Sequence, residues 1–192
     1  MRTLIRPAMM LLVLFTLLTG LAYPLLVTAM AQTLFPDKAN GSLLFRDGKS
    51  TGSALIGQNF TVSKYFWGRL SATGSFPYNA MASGGTNYGA MHPALVQAAK
   101  DRVDALQTAD SSAEKIVPAD LATASGSGLD PEISVAAAEY QAPRVSKARH
   151  LLLNQILILI HSHTQRPFLG FSGTPRVNVL RLNLALDSVI QP

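Results

Sequence analysis

The distribution of apolar positions is one-sided. No charged residue lies between Arg6 and Asp37, and Met9 to Leu18 reads MMLLVLFTLL. Apolar character continues through Leu25, Leu26, Val27 and Met30. About 20 apolar residues in a helix cross about 30 Å of hydrocarbon. The pattern therefore predicts one transmembrane helix over roughly residues 8–31. Pro24 cannot donate to the carbonyl of Gly20, so a kink is expected there, and the glycine eases the clash with the proline ring. Arg2, Arg6 and the Ala29-Met30-Ala31 triplet also fit a cleaved signal peptide. The apolar run is longer than the roughly 7–15 residues of such a core, which favours a retained anchor. Lysine and arginine counts on the two flanks do not orient it. The short, acid-free first flank points to a cytoplasmic N-terminus with the bulk outside.

The rest of the chain, residues 37–192, reads as one α+β domain behind a 1–36 anchor. Leu43–Phe45 and Ser53–Ile56 flank Asp47-Gly48, a hairpin signal. Residues 57–91 are rich in glycine, serine, asparagine and aromatics and read as ordered loop. Pro93 suits a first helical position, and Leu95, Ala99, Val103 and Leu106 recur at helical spacing to about Ala109. After a loop over 110–130, Asp130 is expected to cap a helix with Pro131 at its start and Glu132 in its first turn. A further helix is expected from about Arg144, and Leu151–Ile160 as a buried helix too short to span a bilayer. Alternation from Val177 through Leu186 suggests a strand running into a helix.

Composition narrows the classes. Of 192 residues, 48% are hydrophobic and 14% charged, against a usual charged share of about 25%; this excludes disorder as the main description. There is no cysteine, which excludes disulfides and thiolate chemistry. The formal charge is +5, but the basic residues are dispersed. The densest group, Arg144, Lys147 and Arg149, reads as a solvated helix face rather than a nucleic-acid stripe.

Motif chemistry is sparse. Gly48-Lys49-Ser50 lacks the leading glycine of a phosphate-binding loop, since Leu43 stands there. His161 and His163, two apart, diverge on a helix rather than converge on a metal. No nucleophile elbow is present. No catalytic or metal-ligating residue is therefore expected. The stretch Ala82–Asn87 can present amides to an anion, although a tight turn explains it as well. Thr123–Asp130 reads as structural, and the aromatics from Phe60 to Tyr78 as a local core under the loop. In the anchor, Gly20 and the Thr16 and Thr19 hydroxyls beside Pro24 permit close helix packing.

A series of phrases then carries a resemblance. They are Tyr23–Leu26, Asn40–Leu43, Gly52–Phe60, Tyr65-Phe66 with Gly68-Arg69, Ser71-Ala72, Tyr78-Asn79, Ala82–Gly85, Thr123–Asp130, Arg144-Val145, His163-Thr164, Val177–Leu180 and Leu182–Asp187. In that order, over nearly the whole chain, the sequence resembles the C subunit of the Kdp-type potassium-transporting ATPase. It departs from the family at Leu70, where proline is usual, at Thr86, where serine is usual, and in the more apolar Leu151–Ile160, which allows an extra contact surface.

The resemblance implies a single-pass protein of the bacterial inner membrane with an extracytoplasmic domain. It implies partners: a channel-like potassium-binding subunit, a P-type ATP-hydrolysing subunit and a small helical peptide. Potassium would be handled by a partner, and hydrolysis would occur on another chain. The family is described as a catalytic chaperone raising ATP affinity, and ATP binding is attributed to it. Ser83, Gly84, Gly85 and Thr86, similar to part of an ABC signature loop, are then the candidate nucleotide or partner loop. Three readings follow: a non-catalytic accessory subunit, a nucleotide-binding regulatory subunit, and an envelope binding domain unrelated to transport.

Overall fold

The computed structural model describes residues 2–110, 116–167, 170 and 173–189. The chain divides into two compact units at Ser53/Ala54.

The first unit carries the long apolar helix. Helix α1 (Arg2–Leu17) continues through a π turn (Leu18–Ala22) into α2 (Tyr23–Leu34). The π turn is where Pro24 makes itself felt. Proline offers no N–H, and the Tyr23 amide just before it reaches back five residues to the Leu18 carbonyl. The disturbance expected at Pro24 is thus a locally widened turn. Leu4–Leu34 is the one helix among the described residues long and apolar enough to cross a membrane, with mean hydropathy 2.3 and none of its most apolar stretch buried. After α3 (Pro36–Ala39) comes a hairpin at the expected turn, β1 (Leu43–Arg46) with β2 (Lys49–Ser53), its second strand ending at Ser53 rather than running over Ser53–Ile56. Its turn residues Asp47 (φ 51°) and Gly48 (φ 74°) both lie in the left-handed region, the geometry that matches strand twist and favours glycine.

The second unit is a mixed α/β body, as expected. Its helices are α4 (Pro93–Ala109), α5 (Ala119–Ala122), α6 (Val135–Arg149), α7 (Leu153–Ser162) and α8 (Val179–Ser188). A small antiparallel sheet runs in the order β3 (Glu132–Ser134), β5 (Arg176–Asn178), β4 (Thr164–Gln165). Helix α4 starts at Pro93 as expected, capped by His92, whose Nδ1 accepts from the Ala94 amide (3.2 Å). The core packs Phe66, Leu121, Val145, Ile160, Val177 and Leu182.

Five expectations change. Asp130 caps no helix: residues 132–134 pair with β5, and Ser134 caps α6 through the Ala137 amide (3.0 Å). Asp130 turns onto the Glu132 amide (3.0 Å) and onto Arg69 instead. The helix expected from Arg144 begins nine residues earlier, at Val135, and includes Pro143. Arg144 is not solvated but 4% exposed, drawn into the core by carbonyls from elsewhere in the chain. The loop expected over 110–130 contains α5, while 111–115 lies outside the described residues. Helix α7 buries Ile156 and Ile160 but leaves Leu152, Leu153 and Ile158 exposed, so only one face of Leu151–Ile160 is buried. The alternating segment does run from strand β5 into helix α8.

Candidate functional site

An extended segment, Phe66-Trp67, crosses the core without any strand beside it. Its backbone polar groups must still be paired, because a buried, unpaired N–H or C=O is costly. Two carboxamides supply the pairing. The Phe66 N–H donates to Asn183 Oδ1 (2.9 Å), and Asn183 Nδ2 donates back to the Phe66 carbonyl (3.0 Å). The Trp67 N–H donates to Gln141 Oε1 (2.8 Å), and Gln141 Nε2 donates to the Trp67 carbonyl (3.1 Å). Helices α6 and α8 thus act as substitute strand neighbours.

The Trp67 ring lies near two guanidiniums, Arg144 at 4.5 Å and Arg102 at 5.3 Å from its centroid. Both are held by oxygens. Arg144 donates to the Ser63 and Tyr65 carbonyls and to Gln141 Oε1 (2.7 Å). Arg102 donates to the carbonyls of Leu121 (3.1 Å) and Gly68 (2.7 Å). Burial pushes Arg144 down to about 10, against the pull of Asp110, so it stays charged at neutral pH.

Beyond Trp67 the glycine-rich loops lock together. The Tyr78 hydroxyl donates to the Arg69 carbonyl (2.6 Å), and the Tyr78 amide donates to Ser71 Oγ (2.8 Å). Ser71 Oγ donates to the Gly128 carbonyl (2.7 Å), and Arg69 pairs with Asp130 (3.0 Å). Leu70 bridges Ala124, and its carbonyl accepts from the Ser125 amide (3.1 Å). Gly57 is required here: a Cβ on it would sit 2.7 Å from the Asp130 carbonyl oxygen and overlap the Tyr78 ring. Burial raises the Tyr78 phenol to about 12, with Arg102 pulling the other way.

The candidate loop joins this layer. The Gly84 amide (2.9 Å) and Ser83 Oγ (3.0 Å) both donate to the Ser127 carbonyl. Gly85 lies so close to Gly126 that a Cβ would stand 2.9 Å from its carbonyl oxygen. Two of the donors that an anion would need therefore hold the neighbouring loop, and Thr86 is exposed beside them. The structure thus brings Ser83–Thr86 together with Thr123–Asp130. The packing candidates Thr16, Thr19, Gly20 and Pro24 belong to the other unit and are exposed. Thr19 donates to the Phe15 carbonyl (2.7 Å), and nothing lies within 4 Å of a Cβ built on Gly20.

His161 faces Glu139 (3.6 Å), while His163 Nδ1 lies 3.0 Å from the Leu159 carbonyl. No cluster of three or more potential metal ligands occurs among the described residues. Gln141 and Arg102 escape the sequence reading, while Arg144 enters it only as a solvated face and Asn183 only within the phrase Leu182–Asp187. The only available signal is polar residues in apolar company: Gln141 among Ala137, Ala138 and Ala142, and Asn183 between Leu182 and Leu184.

Residues 5–188 match the family model described as KdpC, the K+-transporting ATPase c chain. The chain is 56% identical over 189 residues to the potassium-transporting ATPase KdpC subunit of Herpetosiphon aurantiacus, covering 98% of each. It is 57% identical over 189 residues to that of Polaromonas naphthalenivorans, covering 98% of this chain and 96% of the relative. It is 56% identical over 187 residues to that of Methylibium petroleiphilum, covering 97% and 98%. Taken over the N-terminal apolar helix and the loop layer alike, this similarity makes the chain a member of the KdpC family, subunits of the potassium-transporting ATPase.

Proposed function

We propose that the chain is a non-catalytic accessory subunit of an ATP-driven potassium uptake complex, anchored in the bacterial inner membrane. Its N-terminus is cytoplasmic, and the body from Ala54 on works outside the cytoplasm. Its helix packs on helices of the channel-like and ATP-hydrolysing subunits, with the small helical peptide as a further neighbour. Hydrolysis takes place on another chain, and potassium is bound by a partner.

The observation that carries this reading is the bare helix Leu4–Leu34 in a family named for a transport ATPase. Its apolar side chains have no cover in their own chain, so they need lipid or partner helices. An effect on ATP use would pass through the membrane by differential contact with one state of the pump. The alternative, ATP held at Ser83–Thr86, would have to displace the donation of Gly84 and Ser83 to Ser127.

Side-specific labelling tests the arrangement. In this cysteine-free chain, Ser83→Cys should react with an impermeant maleimide on intact spheroplasts. Protection until lysis would favour the cytoplasmic, nucleotide-binding alternative. Co-purification with the pump subunits in detergent is expected alongside.

A further inference from the structure

Beside the Gly68–Ser71 segment lies a small pocket of about 90 Å³. Its walls include Arg69, Arg102, Gln58, Asn59, Ser71 and Tyr78, and no carboxylate lines it. The Asp130 carboxylate that pairs with Arg69 instead lines a separate cleft of about 210 Å³. Arg102 makes no ion pair among the described residues. Its partners among the described residues are two carbonyls and the Trp67 ring. Carbonyl dipoles satisfy hydrogen bonds but leave the full charge uncompensated, and part-buried cations are ordinarily paired. Burial accordingly lowers the Arg102 guanidinium, with only Tyr78 opposing.

We infer that this pocket is a site for a small oxyanion of phosphate or sulfate size, held by Arg102, with the already paired Arg69 and the Asn59 carboxamide at its walls. Guanidiniums present paired N–H donors suited to such oxygens. About 90 Å³ accommodates one such ion with little to spare. It falls far below the roughly 300–1,000 Å³ of sites for larger ligands, so a nucleotide does not fit. The inference stands apart from the accessory-subunit reading, because it requires neither partner nor topology.

The test is thermal unfolding of the full chain in detergent, titrated with inorganic phosphate against chloride at fixed ionic strength. Phosphate should raise the midpoint in proportion to the logarithm of its concentration above Kd, by about 5–10 °C at a hundredfold excess, while chloride should not. Gln58→Glu and Asn59→Asp each put a carboxylate at the pocket without removing either arginine. Each should abolish most of the phosphate response while leaving the chain folded. Equal response to phosphate and chloride, no rise of the midpoint with phosphate, or an undiminished response in both variants would overturn the site.

Discussion

Gln141 and Trp67 are joined like neighbouring residues of a ladder, although one contributes a side chain and the other a backbone. The carboxamide accepts from the Trp67 N–H and donates to its carbonyl, and the same oxygen takes a bond from Arg144. Replacing Gln141 by leucine should leave both Trp67 groups buried and unpaired, at about 1–3 kcal/mol each. We expect a total loss of about 2–5 kcal/mol by urea unfolding. Gln141→Glu keeps both acceptor roles and should cost less. Equal losses would mean that the Nε2 donor is as important as the acceptor.

Arg144 extends the same relationship. Arg144→Met keeps much of the stacking volume against Trp67 but strands the Ser63 and Tyr65 carbonyls. Lysine keeps the charge without the planar fork. Both variants should unfold well below wild type, Arg144→Lys included. A tolerated lysine would show that charge alone suffices.

The glycines of the candidate loop should behave oppositely to one another. Gly84 has open space around it, so Gly84→Ala should shift stability by less than about 0.5 kcal/mol. Gly85→Ala must push Gly126 away and should cost about 1–3 kcal/mol. Gly57→Ala, hemmed in by Tyr78 and the Asp130 carbonyl, should be the most damaging. Thermal unfolding of the three variants ranks them. A destabilised Gly84→Ala would contradict the packing described.

Tyr78 predicts the alkaline behaviour. Its phenol rises from 10 to about 12 on folding, so between those values the folded chain holds a proton that the unfolded chain has lost. Stability from this group is therefore complete below pH 10 and is lost as pH climbs toward 12. Urea midpoints across that range should fall with pH, and Tyr78→Phe should flatten the decline. An unchanged slope in that variant would assign the decline elsewhere.

What could be read from the chain was whatever depends on local pattern. The long apolar helix, the Asp47-Gly48 hairpin turn and the helix from Pro93 follow from periodicity and turn chemistry that need no distant partner. Arg144 and Gln141 could not be read this way, because their partners lie 74 to 81 residues away. Asp130 misled for a related reason. Aspartate before proline resembles a helix start, but pairing with a strand more than 40 residues downstream outweighed that preference. Ser83–Thr86 was recognisable as a tight glycine turn. That its donors serve Ser127 depends on a loop no local rule connects to it.

The central claim is a retained anchor holding this body to a potassium pump. Intact-mass measurement of the chain, after detergent extraction and affinity capture through the ATP-hydrolysing subunit, tests it most directly. The account predicts an uncleaved chain of 20.5 kDa in the captured complex. A chain beginning at Gln32, recovered free of the pump subunits, would contradict it.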